Sequence, residues 1–196
     1  MRNLNNISIL KLLIICFTMA STLGSCKRYK KTTSEIEQEQ LPAATQEGKN
    51  TFGCMLNDEV WLPKNYNPYG AIPSSFYPTD ISYDRKSKVL FIFTNQRTKE
   101  NNSRNINLYS KNISTVGQYK LYLENLNKST TSYYYRSAQQ QQTSIYPISD
   151  TINSNLTITK LDTVNKIISG TFSFDFILNS NIIKVRNGVF DLKLNN

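Results

Sequence analysis

The chain has no histidine. That removes the side chain most often used as a general base near neutral pH, and the commonest transition-metal ligand. Cysteine is scarce: Cys16, Cys26 and Cys54 are the three, and no pair is spaced to hold zinc or run a dithiol couple. The seven glycines build no P-loop, G-x-G-x-x-G or G-x-S-x-G pattern, so phosphate cradles and nucleophile elbows have no support. No apolar run reaches the ~18 residues that a membrane-spanning helix needs. Acids are outnumbered by 14 to 23, for a formal charge of +9. From Thr51 onward the basic excess is scattered, whereas nucleic-acid binding usually concentrates it in a stripe. No nucleic-acid partner, cofactor or metal is expected.

The chain's longest apolar stretch lies near its start. Arg2 and Lys11 precede an apolar run from Leu12 to Ala20, followed by small residues at Ser21, Thr22, Gly24 and Ser25. This is the order of a secretory signal over residues 1–25. As a helix the run would rise only about 14 Å, against roughly 30 Å of hydrocarbon. The seam Leu23–Gly24–Ser25–Cys26 resembles a lipobox, the site read by the bacterial lipoprotein signal peptidase. The resemblance implies that Cys26 is the lipid-bearing first residue of the mature chain, its thiolate being a good nucleophile for a glyceryl lipid. Acyl chains such as palmitate would contribute about 0.8 kcal/mol per buried methylene, and Lys27, Arg28, Lys30 and Lys31 would face anionic headgroups. With Cys16 and Cys26 so used, Cys54 is the one thiol left, and no internal disulfide is expected.

Residues 26–50 read as the lipidated cysteine and a disordered tether, rich in Glu, Gln and Lys and poor in large apolar side chains. Residues 51–196 read as a single all-β domain. "TFGCMLNDEVWLP" predicts two short strands around a tight turn at Asn57–Asp58. "DISYDRKSKVLFIFTNQ" predicts a hairpin turning near Asp84–Ser87, its return strand apolar on both faces and therefore central. Ile106 and Leu108, then Tyr119, Leu121 and Leu123, alternate as inward rows. Phe172, Phe174, Phe176 and Leu178 form another, with Gly170 marking a bend. Asn187–Gly188 is the strongest type I′ turn signal, predicting a closing hairpin. Nine or ten strands imply an antiparallel β-sandwich or a small, partly closed β-barrel.

Two segments depart from this rhythm. One carries Pro63, Pro68, Pro73 and Pro78 with Tyr66, Tyr69, Phe76 and Tyr77 between them; the other runs from Asn125 to Asp150 and holds Tyr133, Tyr134, Tyr135, Arg136 and Gln139–Gln142. Both are expected to be surface excursions, the second with a short edge strand at Tyr133–Tyr135. Exposed rings supply binding area at low entropic cost. Ligand binding is therefore assigned to Tyr66, Tyr69, Tyr133, Tyr134, Tyr135 and Arg136. Cys54, in a strand without a histidine partner, is expected to be buried and inert. Asp58, Glu59, Asp80, Asp84, Asp162, Asp175 and Asp191 could in principle pair for glycoside hydrolysis, but turn and outward positions favour solvated acids. Asp150–Thr151–Ile152 and Asp162–Thr163–Val164 resemble O-glycosylation sites of exported proteins in Bacteroidetes-type bacteria.

"NTFGCMLNDEVWLP" at Asn50–Pro63, "ISGTF" at Ile168–Phe172 and "RNGVFDLKL" at Arg186–Leu194 together resemble an uncharacterised lipoprotein family of Bacteroidetes-type bacteria. Asp58 stands where the family turn often has glycine. The family has no established activity, so the resemblance implies an address and an all-β fold without lending site residues. The expectation is a non-enzymatic, monomeric envelope β-domain, held at the outer membrane through its N-terminal lipid. The periplasmic face is favoured over the cell surface because basic residues follow Cys26. Its expected partner is a glycan or an envelope protein. A structural or inhibitory lipoprotein, assisting envelope assembly or blocking a foreign enzyme, is the alternative, and a carboxylate-dependent hydrolase the third reading.

Overall fold

Alternation of apolar and polar side chains organises the chain into two stacked sheets in the computed structural model, which describes residues 40–65, 79–125, 129–139, 143–149, 154–178 and 180–194. In chain order the strands are β1 (Thr51–Leu56), β2 (Glu59–Trp61), β3 (Lys64–Asn65), β4 (Thr79–Asp84), β5 (Val89–Arg97), β6 (Ser103–Ser110) and β7 (Gly117–Tyr119). They continue with β8 (Leu123–Asn125), β9 (Ser129–Thr130), β10 (Ser132–Arg136), β11 (Thr143–Pro147), β12 (Asn155–Asp162), β13 (Ile167–Leu178) and β14 (Asn181–Lys193). The first sheet runs β2-β1-β14-β13-β12-β7; the second runs β11-β10-β6-β5-β3, with β4 also on β5. All pairings are antiparallel except the two-residue β3–β5 contact. Among the described residues one isolated bridge, Ile148 to Phe176, joins the sheets beyond β11. The architecture is an open β-sandwich, and no barrel closes among the described residues.

The inner faces meet in one buried cluster, crossed by a chain of rings. Trp61 packs on Phe52 at 6.1 Å, Phe52 on Phe172 at 5.0 Å, and Phe172 on Phe174 at 6.0 Å. Phe174 meets Phe176 edge-on at 4.8 Å, Phe176 meets Tyr133 of the opposite sheet at 5.9 Å, and Tyr133 stacks on Tyr146 at 6.1 Å. Each such pair adds about 0.5–1.5 kcal/mol beyond its buried area. The β1–β2 turn matches expectation: Asn57 (φ 47°) and Asp58 (φ 69°) both take the left-handed region that a two-residue type I′ turn needs. β5 is central, with Leu90 and Ile92 fully buried on its inner side.

Several expectations require correction. Asn187–Gly188 makes no turn, because β14 runs unbroken through it and the hairpin turn falls before Asn181, with Ser180 at φ 71°. Asn187 (φ 51°) is instead the extra residue of a bulge seen from both sides. Two residues of β14 face Cys54 of β1, and two face Ser173 of β13. The same left-handed tolerance serves bulge and turn alike. A Cβ at Gly188 would lie 2.5 Å from the Phe172 ring, so glycine lets that ring close over the strand. Gly170 meets the expectation of a bend, since it faces a second bulge in which Thr159 of β12 is the extra residue, and it also marks close approach: a Cβ there would lie 2.3 Å from the Thr157 carbonyl oxygen and 2.6 Å from the Phe190 ring.

The strand count exceeds nine or ten because β3, β7, β8 and β9 hold only two or three residues, too few to show a period. "GQYKLYLENL" accordingly splits into β7 and β8, and Leu123 is 38% exposed where it was expected inward. Tyr133–Tyr135 belongs to no edge, since β10 lies between β6 and β11.

A last correction concerns where the packed chain begins. Residues 40–50 lie across the outer face of the first sheet, where free tether was expected. The bulge explains how. Val185 points inward, and plain alternation would send Asp191 inward too; the extra residue turns Phe190 and Leu192 to the core and Asp191 outward. There its carboxylate, 1% exposed, accepts Ser169 Oγ at 2.7 Å and Thr45 Oγ1 at 2.5 Å. It also accepts the backbone N–H groups of Glu47, Gly48 and Lys49 at 3.1, 2.8 and 3.2 Å. Lys160 Nζ donates to Gln46 O, the Lys193 N–H donates to Asn50 Oδ1, and Pro42 covers Gly53.

Burial alone would raise the Asp191 pKa; the hydroxyl and backbone donors outweigh it and hold the carboxyl far below the ordinary range. A carboxyl depressed in the folded state stabilises fully above its unfolded value of about 3.9 and loses that contribution as pH falls through the folded value. Asp191→Asn should therefore cost about 3 kcal/mol at neutral pH. It should also flatten the loss of stability between about pH 5 and pH 2. Urea unfolding of both proteins across that range checks this; equal acid sensitivity in the two would refute the role given to Asp191.

Candidate functional site

The described residues place few of the expected binding groups together. Tyr66 and Tyr69 lie outside them, as do Cys26 and Asp150–Thr151. Tyr133 is a core residue, 7% exposed, whose hydroxyl pKa is pushed up to about 12, chiefly by burial. Tyr135 leans on the same cluster. Tyr134 is half-buried on the opposite, outer side of β10, opposite Asn105 and Ile145, and Arg136 is exposed at the strand's end. The tyrosine run therefore divides between two faces and forms no joint surface.

Cys54 is fully buried and its thiol is pushed up to about 12 by that burial, leaving negligible thiolate near neutral pH. The acids do not converge either. Asp84 accepts Lys86 N–H and Ser87 Oγ, and Asp162 accepts Val164 and Asn165 N–H, each capping a hairpin turn. Thr163, in the second of these turns, has its carbonyl taken by Arg85 Nη2. Asp175 and Asp191 correct the expectation of solvated acids, being 4% and 1% exposed. Asp175 is paired with Arg186, whose guanidinium also donates to the Phe174 and Val185 carbonyls. Asp191 sits opposite Ser169, six positions along β13 from Asp175, or about 20 Å. Among the described residues no group of three or more acid or cysteine side chains could hold a metal ion.

What the fold does bring together is a cleft of about 530 Å³ beside the β7 edge of the first sheet. Lys111, Asn112, Gln118, Tyr119, Lys120, Tyr122, Ser154 and Asn155 line it. Its walls are held from several directions. Ile113 is fully buried; its N–H donates to Lys88 O at 3.0 Å, and Tyr83 Oη donates to its carbonyl at 2.7 Å. Asn112 takes φ 62°, which lets the chain turn sharply out of β6. Ser110 Oγ donates to Lys120 O at 2.7 Å, the Tyr122 N–H donates to Tyr109 O, and Tyr122 O accepts the Thr131 N–H. Buried Leu121 pins the span between the two tyrosines.

Tyr119 is the loop's clasp. Its hydroxyl donates to Thr115 O at 2.8 Å and accepts the N–H groups of Ser114 and Thr115 at 3.3 and 3.2 Å. Burial alone would raise its pKa, but the Thr115 and Ser114 contacts bring it below the ordinary tyrosine value. The ring is thereby held in one orientation. Lys111 Nζ stands 4.7 Å from the centroid of the Tyr122 ring, a cation–π geometry worth about 0.5–1 kcal/mol at a partly exposed site. Chemically the cleft offers two ring faces, several side-chain amides and hydroxyls, and two ammonium groups.

Sequence reasoning read Tyr119 as an inward core residue and did not single out Tyr122 at all. The usable signal was Tyr119-Lys120-Leu121-Tyr122 with Lys111 upstream, but Asn155 joins only through β12–β7 pairing. Comparison with family models, with curated proteins and with solved structures returns no match.

Tyr119→Phe tests the clasp. Loss of the hydroxyl should speed amide exchange at Ser114 and Thr115 at least about fivefold, with global stability falling by about 1 kcal/mol. Unaltered exchange at those two amides would mean that other contacts order the loop.

Proposed function

We propose that the chain is an exported, lipid-anchored envelope protein whose β-sandwich binds saccharides, without chemistry, through the Tyr119–Tyr122 cleft. The observation that carries the reading is the lining itself: two tyrosine rings held beside Asn112, Gln118 and Asn155 in an open cleft. Sugar rings present apolar C–H faces to aromatic rings and hydroxyls to amides, and a firmly held site loses little entropy on binding. The address rests on the signal-like N-terminus, the lipobox-like seam at Cys26 and the resemblance to Bacteroidetes-type lipoproteins. The basic residues after Cys26 favour the periplasmic side of the outer membrane.

A second reading has its own observation. Ile177 and Ile182, directly opposite each other near the β13–β14 turn, are 45% and 49% exposed. An envelope-protein partner engaged in assembly would cover such a pair.

Screening the protein against a saccharide array, with envelope pull-down in parallel, should return saccharide ligands. Tyr122→Ala should weaken the strongest of them about tenfold or more. A ligand set that Tyr122→Ala leaves untouched would move the site elsewhere, and an empty array with a specific protein captured would favour the second reading.

The anchor is tested separately. Wild-type protein should enter the detergent phase on cloud-point partitioning, whereas Cys26→Ala should stay in the aqueous phase or remain unprocessed. Equal partitioning of a processed Cys26→Ala chain would eliminate the lipid.

A further inference from the structure

We propose that the ligand of this site is a linear saccharide chain held over several sugar units, a refinement that rests on the saccharide reading: one unit lies against Tyr119 and Tyr122, and the chain runs past Asn155 into the groove beside the strap. That groove, of about 470 Å³, opens on the outer face of the first sheet with Leu41 and Pro42 along it. Thr171, Ser173 and Asn187 line it, and Asn155 belongs both to it and to the Tyr119–Tyr122 cleft. The two hollows therefore meet at one exposed side chain.

Strand pairing sets the direction of the path. Tyr119 of β7 is opposite Leu156 of β12, Asn155 is opposite Ser173 of β13, and Thr171 is opposite Val189 of β14. The lining steps from strand to strand, across the sheet rather than along it. With strands about 4.8 Å apart, β7 to β14 covers about 14 Å, a span that suits a short chain of sugar rings better than a single ring. The side chains along it are of the matching kind. Alternation turns Phe172 and Phe174 to the core and leaves Thr171 and Ser173 on the outer face, while the bulge exposes Asn187. Among the described residues, the amides of Asn155 and Asn187 and the hydroxyls of Thr171 and Ser173 enter no hydrogen bond with the protein. Similar groups elsewhere around this sheet are committed: Ser169 Oγ donates to Asp191, Asn50 Oδ1 accepts the Lys193 N–H, and Asn57 Oδ1 accepts the Lys184 N–H. Uncommitted amides and hydroxyls spread over three strands match hydroxyls repeated along a chain, and Leu41, Pro42 and Val189 offer apolar surface to the C–H faces between them.

The test uses the full chain purified in detergent and three ladders, cello-, malto- and chito-oligosaccharides, each from monomer to hexamer. Calorimetric titration should show at least one ladder bound, with affinity rising at least about tenfold from dimer to hexamer. Ser173→Ile fills the groove and removes a hydroxyl, and Thr171→Val removes one with little change of shape. Each should cut the gain with length about fivefold and leave dimer affinity at the wild-type level, which also shows that the variant is folded. Ser82→Ile, at an exposed position of β4 in the other sheet, should change neither, and Tyr122→Ala should weaken every length. Should Ser173→Ile disturb the sheet enough to lose the dimer as well, Thr171→Val decides alone. Affinity that is flat beyond the dimer, or a gain with length that the groove variants leave intact, overturns the extended chain and leaves saccharide binding in the cleft standing. Failure of all three ladders overturns it too, and an array that is also empty removes the saccharide reading itself.

Discussion

A carboxylate that leaves water must be surrounded by donors, and Asp191 meets that demand only because the chain some 140 residues upstream folds round it. Five donors reach it, three of them backbone N–H groups of consecutive residues and one from Thr45. The Gly48 contact spans 143 positions of sequence. Removing these donors would leave an uncompensated charge against the sheet, at a cost of several kcal/mol. Residues 40–50 are therefore part of the domain in energy as well as position, forming a third layer at the point where the chain enters the sandwich. The bulge at Asn187 is the device behind this, because it reverses the alternation and so decides whether Asp191 meets the core or the strap.

The aromatic chain is the second constraint and acts on the opposite face. Sheets with large inward rings need small residues where rings must lie flat on the backbone. Gly188 under Phe172 and Gly170 under Phe190 supply them, on the neighbouring strands β14 and β13. Phe172 thus touches β1, β13 and β14 at once, through Phe52, Phe174 and Phe190. The row continues into Tyr133 of the second sheet, so the residue that resembled a surface ligand contact in isolation is the point where the two sheets interlock.

Much of this was legible in the sequence where a physical period or a local turn rule applied. The Phe172–Phe174–Phe176 row, the burial of Cys54, the centrality of β5 and the Asn57–Asp58 turn all follow from alternation or from left-handed tolerance within a few residues. Misreadings arose where a local signal has two structural uses. Asn–Gly serves turns and bulges equally, and only the presence of partners on both sides of β14 decides between them. Three consecutive tyrosines look exposed until pairing places β10 inside a sheet. Thr45 to Lys49 carries no apolar pattern, so its docking was invisible without the distant carboxylate that it serves. The Lys111–Tyr122 cleft was hidden for the same reason, since its far wall comes from β12.

That wall links the two halves of the functional reading. Asn155 lines the Tyr119–Tyr122 cleft and also the groove formed under Leu41 and Pro42. The first residue of β12 is thus shared by this cleft and by the groove under the strap that carries the chain into the domain. If Asp191 did not grip the strap, a lipid at Cys26 would connect to the sandwich through a loose coil ending at Thr51, and the cleft could face any direction. With the strap bound, the packed chain begins near Gln40, and the strap lies on the same sheet as the cleft. On the lipid-anchored reading, a shorter tether joined beside the site narrows the range of heights and orientations from which the cleft can meet a polymer, which raises its effective concentration there. The acid that stabilises the fold would then also fix where the chain is held relative to the cleft on the same sheet.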